Sequence, residues 1–286
     1  MKALTEEDAY RFCLATGRPY FGSHLHASQG HPIRQAYMQS LVVREAAKPR
    51  NHPLDILEIG SWAGRSAITW ASALKRAGVQ GHVFCVDPWK RYARADSIQV
   101  GDVQSMNREI EAGEILPLFL HNIRSSGNED IVIPIRGESS VVLPSLGREK
   151  FQIVFVDGDH RYDAVLSDII QCQELVAPDG VLCGDDLELQ SFEIDLAEAN
   201  ARKDEDYIQD PKTGQFYHPG VTLAVGQTFN SVSVWEGFWA VRKTPSGWQR
   251  VELPNSSVSD IPLHLQPSFV HIFNDLVDYF KRLGLI

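Results

Sequence analysis

The chain has 286 residues and carries 27 lysines and arginines against 37 aspartates and glutamates, a formal net charge of −10. That balance, with no basic run and no basic patch interleaved with aromatics, argues against a nucleic-acid partner. No apolar run approaches the ~18 residues of a membrane span, and acidic Glu6, Glu7 and Asp8 stand where a signal peptide would be apolar, so a cytoplasmic protein is expected.

The length suits one α/β core of about 200 residues with additions. Cys13, Cys85, Cys172 and Cys183 lack Cys-x-x-Cys spacing and imply neither disulfides nor zinc. Residues 1–50 read as an N-terminal extension of two helices, one opening at Thr5 and one over Pro32–Ala47, with an aromatic and histidine-bearing loop, Tyr20–His26, between them. Such an extension serves as a lid, a dimer contact or plain packing. From Leu54 to Ser66 an apolar run ends in Glu58, turns through Gly60 and Gly64 and continues with helical spacing, which is strand, tight loop, helix. The glycines are Gly-x-x-x-Gly, not the Gly-x-Gly-x-x-Gly of a pyrophosphate cradle, so a ligand without phosphates fits better, or the turn is an ordinary βα connection. His82–Val86 is a second strand ending in Asp87. A carboxylate there is placed to accept the hydroxyls of a ribose, with Trp89 as a flat surface for an adenine; alternatively Asp87 caps the turn before Pro88.

The run Glu58-Ile-Gly60-Ser61-x-x-Gly64-x-Ser66, followed by Val86-Asp87, resembles the S-adenosylmethionine-binding half of class I methyltransferases. The resemblance implies that the Gly60 loop wraps the methionine end of the cofactor and that Asp87 holds its ribose. It also implies a Rossmann-like fold, a mostly parallel seven-stranded sheet with helices on both faces and a C-terminal antiparallel strand pair.

Beyond Trp89 the chain is polar and irregular, then helical from Met106 to Ile123 with an interruption at Pro117. Ile131–Ile135 is a third strand. It feeds Gly137, Glu138 and Ser139, which in the resembled family lie against the adenine; Ser139 equally suits the cap of a helix over Val141–Leu146. Phe151–Val156 is the fourth strand and stops at Asp157-Gly-Asp159-His160-Arg-Tyr162. Val181–Gly184 is the fifth and stops at Asp185-Asp186. The carboxyl ends of parallel strands open on one edge, so Asp157, Asp185 and Asp186 converge. Facing carboxylates repel unless a cation compensates, and hard oxygen donors suit a divalent ion, Mg²⁺ first; the competing reading makes Asp185-Asp186 a helix cap.

These paired aspartates resemble the metal-dependent O-methyltransferases of the macrocin O-methyltransferase group and their cephalosporin-hydroxylase-like relatives. Asp157, Asp185 and Asp186 are then the metal ligands, Asp157 also adjoins the cofactor, and a hydroxylated small molecule, a sugar or a phenolic natural product, accepts the methyl group. His160 is the first candidate for the base, with His218 or Asp159 in its place. The rival readings are a metal-dependent hydroxylase-like enzyme, poorly served by an all-aspartate set, and a non-catalytic S-adenosylmethionine-binding protein. Residues 51–250 form the methyltransferase domain, with 187–217 as an insertion over the open edge that shapes the substrate pocket. His218-Pro-Gly-Val starts the next helix, and Ser231–Trp235 with Phe238–Arg242 forms the final strand pair. The tail, 251–286, has Val270, Phe273, Leu276, Val277 and Phe280 on one helical face, suited to docking on the core or on another subunit; a homodimer is expected.

Overall fold

Five apolar runs, each bounded by turn residues, become adjacent parallel strands in a computed structural model that describes residues 4–28, 30–90, 113–229, 231–255, 260–265 and 269–284. They are β1 (Ile56–Ile59), β2 (Val83–Asp87), β3 (Val132–Arg136), β4 (Phe151–Val156) and β5 (Val176–Gly184). A separate two-stranded hairpin, β6 (Ile208–Gln209) with β7 (Phe216–Tyr217), lies in the insertion. The main sheet continues with β8 (Ser233–Trp235), β9 (Phe238–Thr244) and β10 (Gly247–Arg250). Its order is β3-β2-β1-β4-β5-β9, and β8 and β10 both pair antiparallel with β9. The expected seven strands are present, with the final antiparallel pair where the sequence puts it, and β10 is an eighth.

The helices are α1 (Glu6–Thr16), α2 (Pro32–Ala46), α3 (Arg65–Ala77), α4 (Ile115–Ser125), α5 (Ser139–Val142), α6 (Tyr162–Leu175), α7 (Leu196–Ala201), α8 (Pro219–Phe229) and α9 (Phe269–Arg282). Successive strand residues point to opposite faces, so the sheet has two cores. Ile56, Ile153, Phe155 and Cys183 join residues of α1 to α4 in one, while Leu57, Val154, Val156 and Leu182 join α6 and α8 in the other. Both faces are therefore apolar, as continuous apolar strands require.

Several local readings are refined. The Thr5 hydroxyl and the Asp8 carboxylate form a reciprocal capping box at α1. Pro117 does not interrupt a helix: it sits in the first turn of α4, where its missing N–H forfeits no bond. The earlier part of that expected helix, up to residue 112, lies outside the described residues. Strand β5 begins at Val176 rather than Val181, because a bulge between the Phe151↔Val176 and Ile153↔Val181 pairings absorbs Pro178 and Gly180. The tail helix docks on its own chain: Leu276 is fully buried, and Tyr279 meets Phe12 edge-on at 5.4 Å. The insertion builds a small core of Leu189, Ile194, Ala199, Ile208, Tyr217 and Leu223 that continues onto α8. None of the helices among the described residues is long and apolar enough to cross a membrane.

Buried Asp168 on α6 makes the fold sensitive to pH. Burial pushes its carboxyl up to about 6, with the Ser139 hydroxyl pulling it back. The folded state thus holds a proton that the unfolded chain has already lost, and stability falls as pH rises from about 4 to about 6, then levels. Asp168→Asn is expected to raise the unfolding free energy at pH 8 by up to ~2 kcal/mol and to leave it unchanged near pH 3.5. Urea unfolding at the two pH values checks this; equal effects at both would remove ionisation as the cause.

Candidate active site

The loop after β1 is shaped by its neighbour strand. Gly60 has φ +83°, and a Cβ there would lie 1.9 Å from the Asp157 carbonyl oxygen, so only glycine lets β1 pass beside the end of β4. Asp87, at the tip of β2, ties this loop down: its carboxylate accepts the backbone N–H groups of Ser61 and Trp62, each at 3.0 Å, and of Trp89 at 2.7 Å. Burial raises its pKa, and those three donors oppose the rise. Glu58 is fully buried and its carboxyl is pushed up to about 7 by burial. Ser61, Ser66 and Cys85 adjoin it and pull its pKa down, yet no partner bonds either carboxyl oxygen within hydrogen-bond geometry.

A cavity of about 310 Å³ opens across the carboxyl ends of β1, β2, β4 and β5. That volume suits a small-molecule site. Gly60, Ser61, Ser66, Asp87, Asp157, His160, Asp185 and Asp186 all line it, so the expected cofactor loop and the expected metal residues share one chamber. Six expected cofactor residues do not line it: Glu58, Gly64, Trp89, Gly137, Glu138 and Ser139. Gly64 has φ +86° and opens α3, its α-carbon packed toward Phe119. Trp89 is only 5% exposed, its ring packed on Phe119 at 4.8 Å and its indole N–H donated to the Trp62 carbonyl, so it presents no open face to an adenine. Glu138, not Ser139, occupies the N-cap position of α5 and pairs with Lys90 at 2.6 Å. Gly137, Glu138 and Ser139 are outside the cavity wall.

The strand-end carboxylates do not face one another bare. The Arg34 guanidinium, from α2, donates through Nη1 to Asp185 Oδ1 and Asp186 Oδ1 and through Nη2 to Glu188 Oε1, each at 2.8 Å. His160 lies between two carboxylates, with Nε2 3.0 Å from Asp186 Oδ2 and Nδ1 2.7 Å from Asp206 Oδ1. Burial opposes the charged imidazole, but these two partners raise its pKa well above the usual histidine value. Both ring nitrogens are engaged by carboxylates, so in this arrangement His160 does not stand as a free proton acceptor, contrary to the expectation that it is the base. Asp159 is held by Arg161 in a forked pair. His218 puts Nδ1 3.1 Å from Glu188 Oε2. Asp157 is raised well above the carboxylate range by burial and by Asp185 and Asp186. Asp185 is pushed up to about 6 by burial and Asp186, with Arg34 opposing, whereas Asp186, despite burial, is held low by His160, His218 and Arg34.

Ligand atoms of Asp157, His160 and Asp186 lie within 4.8 Å of one another, as do those of Asp186, Glu188 and His218 and those of His160, Asp206 and His218. Half-buried carboxylate oxygens and imidazole nitrogens at that spacing fit a divalent cation. Asp186 is central and has φ +62°, a left-handed conformation uncommon outside glycine and asparagine. His160 joins the cluster where the sequence reading has Asp185, which Arg34 engages instead.

The sequence reading misses Arg34, Glu188 and Asp206. Arg34 leaves one trace: it stands in the first turn of α2, where the helix dipole disfavours a cation, so it must answer to charges elsewhere. Glu188 and Asp206 look like ordinary polar residues of the insertion. Gly220, in the first turn of α8, lets that helix pass close to the His160 backbone, since a Cβ there would meet the His160 carbonyl oxygen at 2.2 Å.

A sheet of order β3-β2-β1-β4-β5 with antiparallel β9 beside β5, and a cavity over the ends of β1, β2, β4 and β5, define a class I methyltransferase fold. Residues 57–187 match the family model described as a methyltransferase domain. Among solved structures, the O-methyltransferase NovP superposes with a TM-score of 0.50 at 16% identity, over 77% of this chain and 81% of that one. The O-methyltransferase TomG of Streptomyces achromogenes, involved in tomaymycin synthesis and solved with S-adenosylmethionine, gives 0.44 at 18% identity over 84% and 88%. An O-methyltransferase of Bacillus cereus gives 0.44 at 17% over 84% and 89%. At these identities the likeness is one of fold. No curated protein sequence matches the chain.

Proposed function

We propose that this protein is an O-methyltransferase that moves the methyl group of S-adenosylmethionine to a hydroxyl of a small molecule, a sugar or a phenol, with a divalent cation at the strand-end cluster. The observation that carries the reading is the single chamber in which the Gly60 loop adjoins Asp157, His160 and Asp186, three donors within 4.8 Å of one another. Asp157 and Asp186, with Asp185 or His160, would hold the ion. A cation there lowers the pKa of an acceptor hydroxyl and stabilises the oxyanion it becomes. Methyl transfer otherwise depends on holding acceptor and donor in line, which the rigid strand ends supply.

Asp87 serves this site by fixing the Gly60 loop through the N–H groups of Ser61 and Trp62, besides any contact with the ribose. His218, which lines the cavity with Nδ1 3.1 Å from Glu188 Oε2, is our proton acceptor. The excess of acidic residues on the cavity wall suits the sulfonium charge of the donor and disfavours polyanionic acceptors.

Isothermal titration of the metal-stripped protein with S-adenosylmethionine comes first, followed by mass analysis of catechol, phenol and sugar acceptors with Mg²⁺ or with EDTA. The expected result is cofactor binding at micromolar strength and methyl transfer that EDTA stops. No cofactor binding would sink the reading, and transfer indifferent to EDTA would remove the metal from it. One observation favours a second reading: His160, His218 and Asp206 have the two-histidine, one-carboxylate composition used by iron oxygenases. Oxygen consumption with Fe²⁺, in place of methyl transfer, would support that hydroxylase.

A further inference from the structure

The insertion ends in the hairpin of β6 and β7, whose strands sort their side chains by face. Ile208 and Tyr217 pair directly across it and are buried in the small core of the insertion. Side chains alternate along a strand, so Tyr207, one step before Ile208, and Phe216, across from Gln209, fall on the opposite face. Their rings stack there at 5.5 Å with planes 24° apart, Tyr207 47% and Phe216 51% exposed.

That outer face runs into the active-site chamber. The Tyr207 ring lies 4.7 Å from the His218 ring, which lies 4.6 Å from His160, so Phe216, Tyr207, His218 and His160 make one row from the hairpin toward the end of β4. His218, His160 and Asp206, the chain neighbour of Tyr207, line the cavity. Rings exposed singly need no explanation, but a stacked pair continuous with a ligand chamber extends the apolar surface of that chamber. The polar groups around the pair are already engaged, Asp206 by His160 and Glu188 by Arg34 and His218. A sugar needs hydrogen-bond partners for most of its hydroxyls and finds few here, whereas a flat apolar ring needs none.

We propose that Tyr207 and Phe216 are the platform for the aromatic ring of a phenolic acceptor, an assignment that narrows the acceptor of the proposed methyl transfer and rests on that reading. An acceptor ring laid along the row turns a hydroxyl at its inner edge toward His218 and the strand-end carboxylates. Offset or edge-to-face contact with each ring adds affinity beyond the apolar area covered. Tyr207 and His218 flank the same hairpin, so the insertion both grips the acceptor and carries its proton acceptor. A planar acceptor of two fused rings covers more of the platform than a single ring does and is held more tightly.

The test is isothermal titration of the full chain, saturated with S-adenosylhomocysteine and Mg²⁺, with catechol, a naphthalenediol with adjacent hydroxyls, and methyl glucoside. The wild type is expected to bind the naphthalenediol at least ~10-fold more tightly than catechol, and the glucoside more weakly than either. Tyr207→Leu and Phe216→Leu keep an apolar side chain and remove the ring, and each is expected to bring the preference for the naphthalenediol below ~3-fold. Phe216 is the far end of the row from His218, so its variant stays readable should Tyr207→Leu shift that histidine. A preference that survives both substitutions, a glucoside bound as tightly as the naphthalenediol, or a wild type that binds none of the three overturns the assignment and leaves the methyltransferase reading intact. A wild type that binds no S-adenosylmethionine overturns both.

Discussion

Arg34→Met is expected to cost about 3–5 kcal/mol of unfolding free energy, read from the denaturant midpoint, because it strands Asp185, Asp186 and Glu188 around an empty centre. The methionine retains the apolar stem, so loss of packing does not account for the effect. Divalent cations separate this case from an ordinary broken ion pair. A guanidinium and a metal ion compensate the same oxygens, so Mn²⁺ should raise the melting temperature of the variant more than that of the wild type. A variant as stable as the wild type would show that water already solvates the three carboxylates. A variant destabilised but indifferent to Mn²⁺ would remove the metal from this corner of the cavity.

Asp186→Asn is expected to lower kcat/KM for methyl transfer on the order of 10²–10³-fold, with the dissociation constant of S-adenosylmethionine within about threefold of the wild type. Asparagine has the shape of aspartate and tolerates the left-handed backbone found here, so the substitution removes charge with little change of structure. Asp186 touches both Arg34 and His160, and its ligand atoms belong to two of the three donor clusters. Activity within tenfold of the wild type would contradict a role for this carboxylate in the chemistry.

The site was partly legible in the sequence for reasons that differ residue by residue. Gly60, Asp87, Asp157, Asp185 and Asp186 each follow the last residue of an apolar run or end it, and parallel pairing of such runs brings their ends together whatever the intervening loops do. Trp89 misled because two residues beyond a strand tip fix no direction; packing on Phe119 turned it inward. The partners of His160 were not legible because they arrive from elsewhere, Asp186 just beyond β5 and Asp206 from 46 positions along the chain.

By itself, then, the sequence determined what local chemistry and period can determine. Apolar runs alternating with helical stretches make the parallel sheet, the close approach of β1 to β4 requires Gly60, and acidic residues at successive strand ends collect on one edge. Only the tertiary structure decided how those charges are balanced. Arg34, Glu188 and Asp206 come from the two segments with the least regular patterns, the N-terminal extension and the 187–217 insertion. The energy of a buried charge is set by every charge within a few ångströms, not by its neighbours in the chain, so those pairings are invisible until the fold closes.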